Sequence, residues 1–182
     1  MKLNLPNQLT ILRVLLIPVF IMLLLGSFFE DLQTARYVAT GIFVFASLTD
    51  MFDGYIARKY NLITNFGKFA DPLADKMLVS AAMISMVQLG DLSAWVVILI
   101  ISREFIVTGF RLVAASRNTV IAAGFWGKIK TVSQMLMIII VLLNIDNTVF
   151  RAVGSGLIVI SAVLTIVSMV DYIYKNIDVL KD

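Results

Sequence analysis

Six long apolar runs dominate this chain and leave it few folds to choose from. They cover roughly residues 11–28, 36–57, 67–90, 94–115, 125–144 and 150–174. A helix needs about 20 apolar residues to cross the hydrocarbon core of a bilayer. The 182 residues therefore accommodate six such helices with short connections and no separate soluble domain. Composition agrees, with 60% hydrophobic residues, only 15% charged and a mean hydropathy of +0.95, where soluble domains carry about 25% charged residues. We expect an all-α integral membrane protein of six transmembrane helices, preceded by a short amphipathic segment over residues 1–10 and forming one domain, 1–182. The first run ends in Leu25-Gly26-Ser27-Phe28-Phe29-Glu30 rather than a small-residue cleavage site, so it is expected to remain as a span.

Several chemistries are excluded. The chain has neither Cys nor His, which rules out disulfides, thiol nucleophiles, imidazole bases and the usual His/Cys zinc sites. Acid–base work falls to Asp, Glu, Lys or Tyr. The formal net charge is only +3, and no nucleic-acid partner is expected.

The charges are unevenly placed. With the N-terminus in the cytoplasm and six helices threaded in turn, only Arg36 and Arg151 fall at the outer side, Arg103 lies within a span, and the other twelve Lys and Arg lie on or toward the cytoplasm. That satisfies the positive-inside rule. It predicts a multi-pass protein of the cell membrane with both termini cytoplasmic.

Against this apolar background the stretch Thr49–Lys76, TDMFDGYIARKYNLITNFGKFADPLADK, stands out. Its four carboxylates, Asp50, Asp53, Asp71 and Asp75, adjoin strongly apolar flanks. Carboxylates in such a setting are expensive and mark function by default. On helices, Asp50 and Asp53 at i, i+3 share one face, and Asp71 and Asp75 at i, i+4 share another. Two helices joined by a turn around residues 61–65 can aim all four into one space. So much oxygen-donor charge calls for hard divalent cations such as Mg²⁺ or Mn²⁺. Helix capping or snorkelling would explain one aspartate pair, but not both pairs with the glycines and Arg58 in place. The same threading puts this cluster, and hence the active site, at the cytoplasmic face.

The pattern Asp50-x-x-Asp53-Gly54-x-x-Ala57-Arg58, eight further residues, then Gly67-x-x-x-Asp71-x-x-x-Asp75 resembles the signature of the CDP-alcohol phosphotransferases, with all eight of its fixed positions present. The resemblance implies an enzyme that displaces CMP from a CDP-linked lipid with an alcohol acceptor. It implies two divalent cations, one held by Asp50, Asp53 and Asp71 and the other by Asp50, Asp71 and Asp75. Asp75 is then the general base for the acceptor hydroxyl, and a homodimer is implied.

Gly54 and Gly67 let backbone approach a ligand, with Ala57 beside them in the signature, and Arg58 can reach a phosphate or base edge one turn on. Asn7, Thr10 and Arg13 recur at i, i+3, i+6 on one side of a helix. The resemblance assigns them, with Thr64, to the CDP-lipid, although capping of the first helix would explain Asn7 or Thr10 taken singly.

A basic set on the fourth and fifth helices, Arg103, Arg111, Lys128 and Lys130, suits a second phosphate group. Arg103 at mid-span is expected to pair with Glu104 or a site carboxylate. Three stretches, NLPNQLTILRVLLIP, SREFIVTGFR and GKIKTVSQM, resemble the members of the family that use sn-glycerol 3-phosphate. They imply transfer of the phosphatidyl group from CDP-diacylglycerol to that acceptor in the lipid bilayer. Another alcohol, such as inositol phosphate, serine or phosphatidylglycerol, is the alternative within the family. An ion-coupled transporter also has buried carboxylates, but no internal repeat of the transporter kind is visible.

Overall fold

The computed structural model describes residues 4–60, 64–117, 121 and 124–180, and their side chains except at 5, 6, 51, 53–58, 65, 66, 68, 69, 179 and 180. Among these residues six α-helices follow in order: α1 (Leu5–Leu25), α2 (Leu32–Lys59), α3 (Asn65–Gln88), α4 (Ala94–Ser116), α5 (Phe125–Leu143) and α6 (Thr148–Asn176). A 3-10 turn, Ile177–Leu180, follows α6, and no strand occurs among the described residues.

Local chemistry sets the helix ends. Asn4 takes the N-cap position of α1 in extended conformation with a proline in the first turn, where the missing N–H costs nothing. The amphipathic segment expected over residues 1–10 is therefore not a separate element in the described residues, because residues 5–10 are already the start of α1. Asp31 starts α2 earlier than the apolar run does, by accepting the backbone N–H groups of Gln33 at 3.1 Å and Thr34 at 2.9 Å. Thr64 caps α3 through a hydroxyl that accepts the Gly67 N–H at 3.0 Å. Gly90, at φ +79°, closes α3 as only glycine does cheaply, with the Asp91 N–H reaching back to the Met86 carbonyl at 2.9 Å. Ser93 holds the N-cap position of α4, without a side-chain bond. Asn147 starts α6 by accepting the N–H groups of Val149 and Phe150. Pro72 lies inside α3 rather than in its first turn.

The chain falls into two compact units. The first holds α1, α2, α3 and Leu142–Asn144. Its organising surface is one face of α1: Asn7, Thr10, Arg13, Ile17, Phe20 and Leu24 are all buried, at the three-and-four spacing that puts residues on one side of a helix. The face is polar over its first half and apolar over its second. On the apolar half, Phe20 meets Phe43 of α2 with ring centroids 6.5 Å apart. Buried alanines at 35, 39 and 46 on α2 and at 74 and 82 on α3 let the helices approach closely, which matters because in lipid it is packing, not hydrophobic burial, that drives helix association. Near the start of α2, buried Arg36 grips Asp91 at 2.7 and 3.0 Å. Arg36 Nη1 and Gln33 Nε2 donate to the Leu142 and Leu143 carbonyls at 3.5 and 2.7 Å.

The second unit holds α4, α5 as far as Val141, and α6. The buried positions of α6 are Gly154, Ser161, Thr165, Ser168 and Tyr172, a stripe of mostly small residues. The hydroxyls of Thr165 and Ser168 are satisfied close by, Thr165 donating to the Ser161 carbonyl at 2.6 Å and Ser168 to the Thr165 carbonyl at 3.1 Å.

Among the described residues three helices are long and apolar enough to cross a membrane: Asn7–Leu25, Phe125–Leu143 and Thr148–Asn176. Large apolar side chains such as Trp95, Phe105 and Val149 lie exposed. These are the marks of a membrane protein. The helices outside this set are α2, α3 and α4, and they are the ones that carry the aspartates and the Arg103–Glu104 pair in their interiors.

Candidate active site

The polar half of the α1 face is the base of the site. Arg13 donates from Nη1 to Oδ1 of Asp50 at 2.5 Å, and Thr10 donates from Oγ1 to Oδ1 of Asp71 at 2.5 Å. Thr64 donates its hydroxyl proton to Oδ1 of Asn7 at 2.9 Å. The three residues spaced at i, i+3, i+6 thus each reach a different part of the Thr49–Lys76 stretch. None of them caps the first helix, so the capping explanation of Asn7 and Thr10 does not hold. Asp50 likewise lies inside α2 rather than at its end.

The two aspartates stand near each other, close enough for their charges to act on one another. Asp50 follows the buried line Ala39, Phe43 and Ala46 on α2. Asp71 follows Gly67 and precedes Ala74 and Leu78 on α3. Helix packing through small residues therefore delivers both carboxylates to the α1 face. Gly67 lies against the same polar groups. A Cβ there would lie 3.1 Å from Asn7 Oδ1 and 3.3 Å from Thr64 Oγ1, crowding both, and would touch Asp71 Oδ2 at an ordinary 3.5 Å. Asp75 is half-buried, one turn beyond Asp71 on α3. Asp53, Gly54, Ala57 and Arg58 continue α2 in backbone, and their side-chain positions lie outside the described residues.

A second polar cluster sits in the other unit. Glu104 Oε1 accepts both Arg103 Nη1 at 2.9 Å and Lys130 Nζ at 2.7 Å. Arg103 and Lys130 are 7% and 2% exposed, so two buried cations share one carboxylate. A Cβ on Gly127 would come within 3.4 Å of Arg103 Nη2. Of the expected basic set, these two come together. Arg111 instead stands over the Tyr172 ring at 5.9 Å from its centroid, and Lys128 is exposed on α5. The pairing of Arg103 with Glu104 matches the sequence expectation. The part of Glu104 in holding Lys130 has no signal in the sequence, since 26 residues separate the two and no local periodicity links them.

Residues 3–167 match the family model described as CDP-alcohol phosphatidyltransferase. The chain belongs to the CDP-alcohol phosphatidyltransferase family. It is 45% identical, over 98% of its length and 97% of the relative's, to a Bacillus subtilis protein named CDP-diacylglycerol–glycerol-3-phosphate 3-phosphatidyltransferase. A Rickettsia bellii protein of the same name is 41% identical over 93% of both chains. A Mycobacterium tuberculosis protein named probable phosphatidylglycerophosphate synthase is 42% identical over 94% of this chain and 81% of its own. Enzymes of the family generally use divalent metal ions. Among the described residues no three carboxylates gather into a ready metal cage. The donor chemistry nevertheless fits such a group: two neighbouring carboxylates, each held through one oxygen from α1, beside a glycine cradle.

Proposed function

We propose that this chain transfers the phosphatidyl group of CDP-diacylglycerol to sn-glycerol 3-phosphate, giving phosphatidylglycerophosphate and CMP. The observation that carries the reading is the meeting of Asp50 and Asp71 on the polar face of α1, in a chain that resembles phosphatidyltransferases of that name over nearly its whole length.

In this reading Asp50, Asp53, Asp71 and Asp75 hold two divalent cations, Mg²⁺ or Mn²⁺, and Asn7, Thr10, Arg13, Gly54, Ala57, Arg58, Thr64 and Gly67 surround the CDP-lipid. Divalent cations bound there would neutralise the diphosphate and the charge developing on departing CMP. Asp75 takes the proton of the acceptor's primary hydroxyl. The hydroxyl oxygen bonds to the β-phosphorus, and the bond from that phosphorus to the bridging oxygen breaks with its electron pair leaving on CMP. Arg13 and Thr10 keep Asp50 and Asp71 in one orientation, so little reorganisation is needed at the moment of reaction. The Arg103–Glu104–Lys130 cluster brings two buried cations to one carboxylate. Buried cations favour an anionic ligand, and the phosphate of glycerol 3-phosphate is such an anion. Arg111 and Lys128 add positive charge on the same two helices.

We read the six helices as all spanning, the chain as one catalytic domain that forms a homodimer, and the aspartates as facing the cytoplasm. The charge asymmetry of the connections supports this orientation. The test is CMP release from CDP-diacylglycerol by purified chain in detergent, with Mg²⁺ or Mn²⁺ present and glycerol 3-phosphate, free glycerol, serine or inositol phosphate supplied in turn. Release driven by glycerol 3-phosphate and abolished by EDTA is expected. Release driven equally by another alcohol would reassign the acceptor.

A further inference from the structure

Arg13 is the residue whose setting asks for more than a contact with substrate. It is 1% exposed, and its guanidinium lies directly on Oδ1 of Asp50. A guanidinium stays charged at any physiological pH. A buried one abandons its carboxylate only at a large energetic penalty. Arg13 is therefore a permanent positive charge attached to one of the carboxylates proposed for the cations. Thr10 orients Asp71 in the same way but is neutral.

We propose that Arg13 is a built-in counter-ion that weakens divalent-cation binding at the aspartates until an anionic donor arrives, and so couples cation binding to donor binding. This rests on the divalent-cation reading given above. Arg13 cancels one unit of the negative charge that Asp50, Asp53, Asp71 and Asp75 together offer the cations. A cation approaching Asp50 meets a fixed positive charge at close range, in surroundings that screen it poorly. A diphosphate-bearing donor brings its own negative charge and offsets that repulsion. Linkage is reciprocal, so a bound cation then tightens donor binding by the same factor.

The experiment titrates Mn²⁺ into purified protein in detergent and follows free Mn²⁺ by electron paramagnetic resonance, with and without CDP-diacylglycerol. Wild type, Arg13→Gln and Arg13→Lys are compared. Wild type should gain about tenfold in Mn²⁺ affinity when the donor is added, within the usual range of such couplings. Arg13→Gln should bind Mn²⁺ about tenfold more tightly than wild type in the absence of donor and gain little on its addition. Arg13→Lys, which keeps the charge, should behave like wild type. Unchanged or weaker Mn²⁺ binding in donor-free Arg13→Gln overturns the proposal and leaves Arg13 as an ordinary donor contact. If Arg13→Gln does not fold, wild type alone still decides, because Mn²⁺ affinity indifferent to donor also overturns it. Wild type that binds no Mn²⁺ with or without donor overturns the divalent-cation reading itself, a different result from the first.

Discussion

Asp50, Asp71 and Asp75 differ in what is asked of each. Asp50 and Asp71 are each held through one oxygen by α1. Asp50→Asn and Asp71→Asn should therefore abolish CMP release while the protein stays folded in detergent, which size-exclusion and melting curves check. Asp75→Asn, if it removes only the base, should slow the chemical step by about 10²–10⁴-fold and leave CDP-diacylglycerol affinity close to wild type. Single-turnover rates set against donor titration separate the two effects, and near-normal turnover reassigns the base. At the second cluster, Lys130→Met removes one of two cations on Glu104. It should raise KM for glycerol 3-phosphate by about 10–150-fold, the worth of a charge-assisted phosphate contact, with KM for the donor nearly unmoved. If the lysine only neutralises Glu104, both constants stay where they are and the loss appears in the melting temperature instead.

At the level of elements, two devices hold the first unit's helices in register, and they respond to different tests. Asp31 starts α2, and the backbone N–H groups of Gln33 and Thr34 hold its carboxyl below its ordinary value. A group stabilised in its charged form contributes fully above its unfolded pKa, and the contribution fades as pH falls through the lower folded pKa. Asp31→Ala should accordingly melt below wild type near neutral pH, with the gap closing in acid; thermal melts across pH measure it. The Arg36–Asp91 pair is a larger commitment because both partners sit mostly out of water. Breaking such a pair from one side costs about 3–5 kcal/mol. Arg36→Met or Asp91→Asn alone should lower stability by that order, and the double replacement should recover part of it. A melt in which the double variant is no better than the worse single variant would show that the pair's contribution lies in its geometry rather than its charge.

For the whole molecule, the arrangement of charge carries a topology that the chain's composition makes easy to examine. It has no cysteine, so single cysteines can be introduced without removing any. At Lys59 and Arg117 they should react with an impermeant thiol reagent only from the cytoplasmic side of sealed vesicles, and at Asp31 and Asp146 only from the opposite side. Labelling of Lys59→Cys from outside would invert the orientation proposed here.

The helical character of the chain and the four aspartates were both legible from residue order alone, for physical reasons. Bilayer thickness imposes a length on apolar runs, and a charge in such a setting is too costly to be accidental. Helix limits were less legible, because Asp31 and Asn147 start their helices by side-chain capping outside the apolar runs. The partnerships of Arg13, Thr10, Asn7 and Lys130 were not legible at all. The spacing of the first three marked one face of a helix, but Asp50 lies 37 residues from Arg13 and Asp71 lies 61 from Thr10. Nothing in a local pattern says which carboxylate a buried guanidinium will meet. Only the packing of α1 against the small-residue faces of α2 and α3 decided that the polar half of one helix face would meet the acidic motif, because buried charges and hydroxyls must be satisfied by whatever the packing brings within reach.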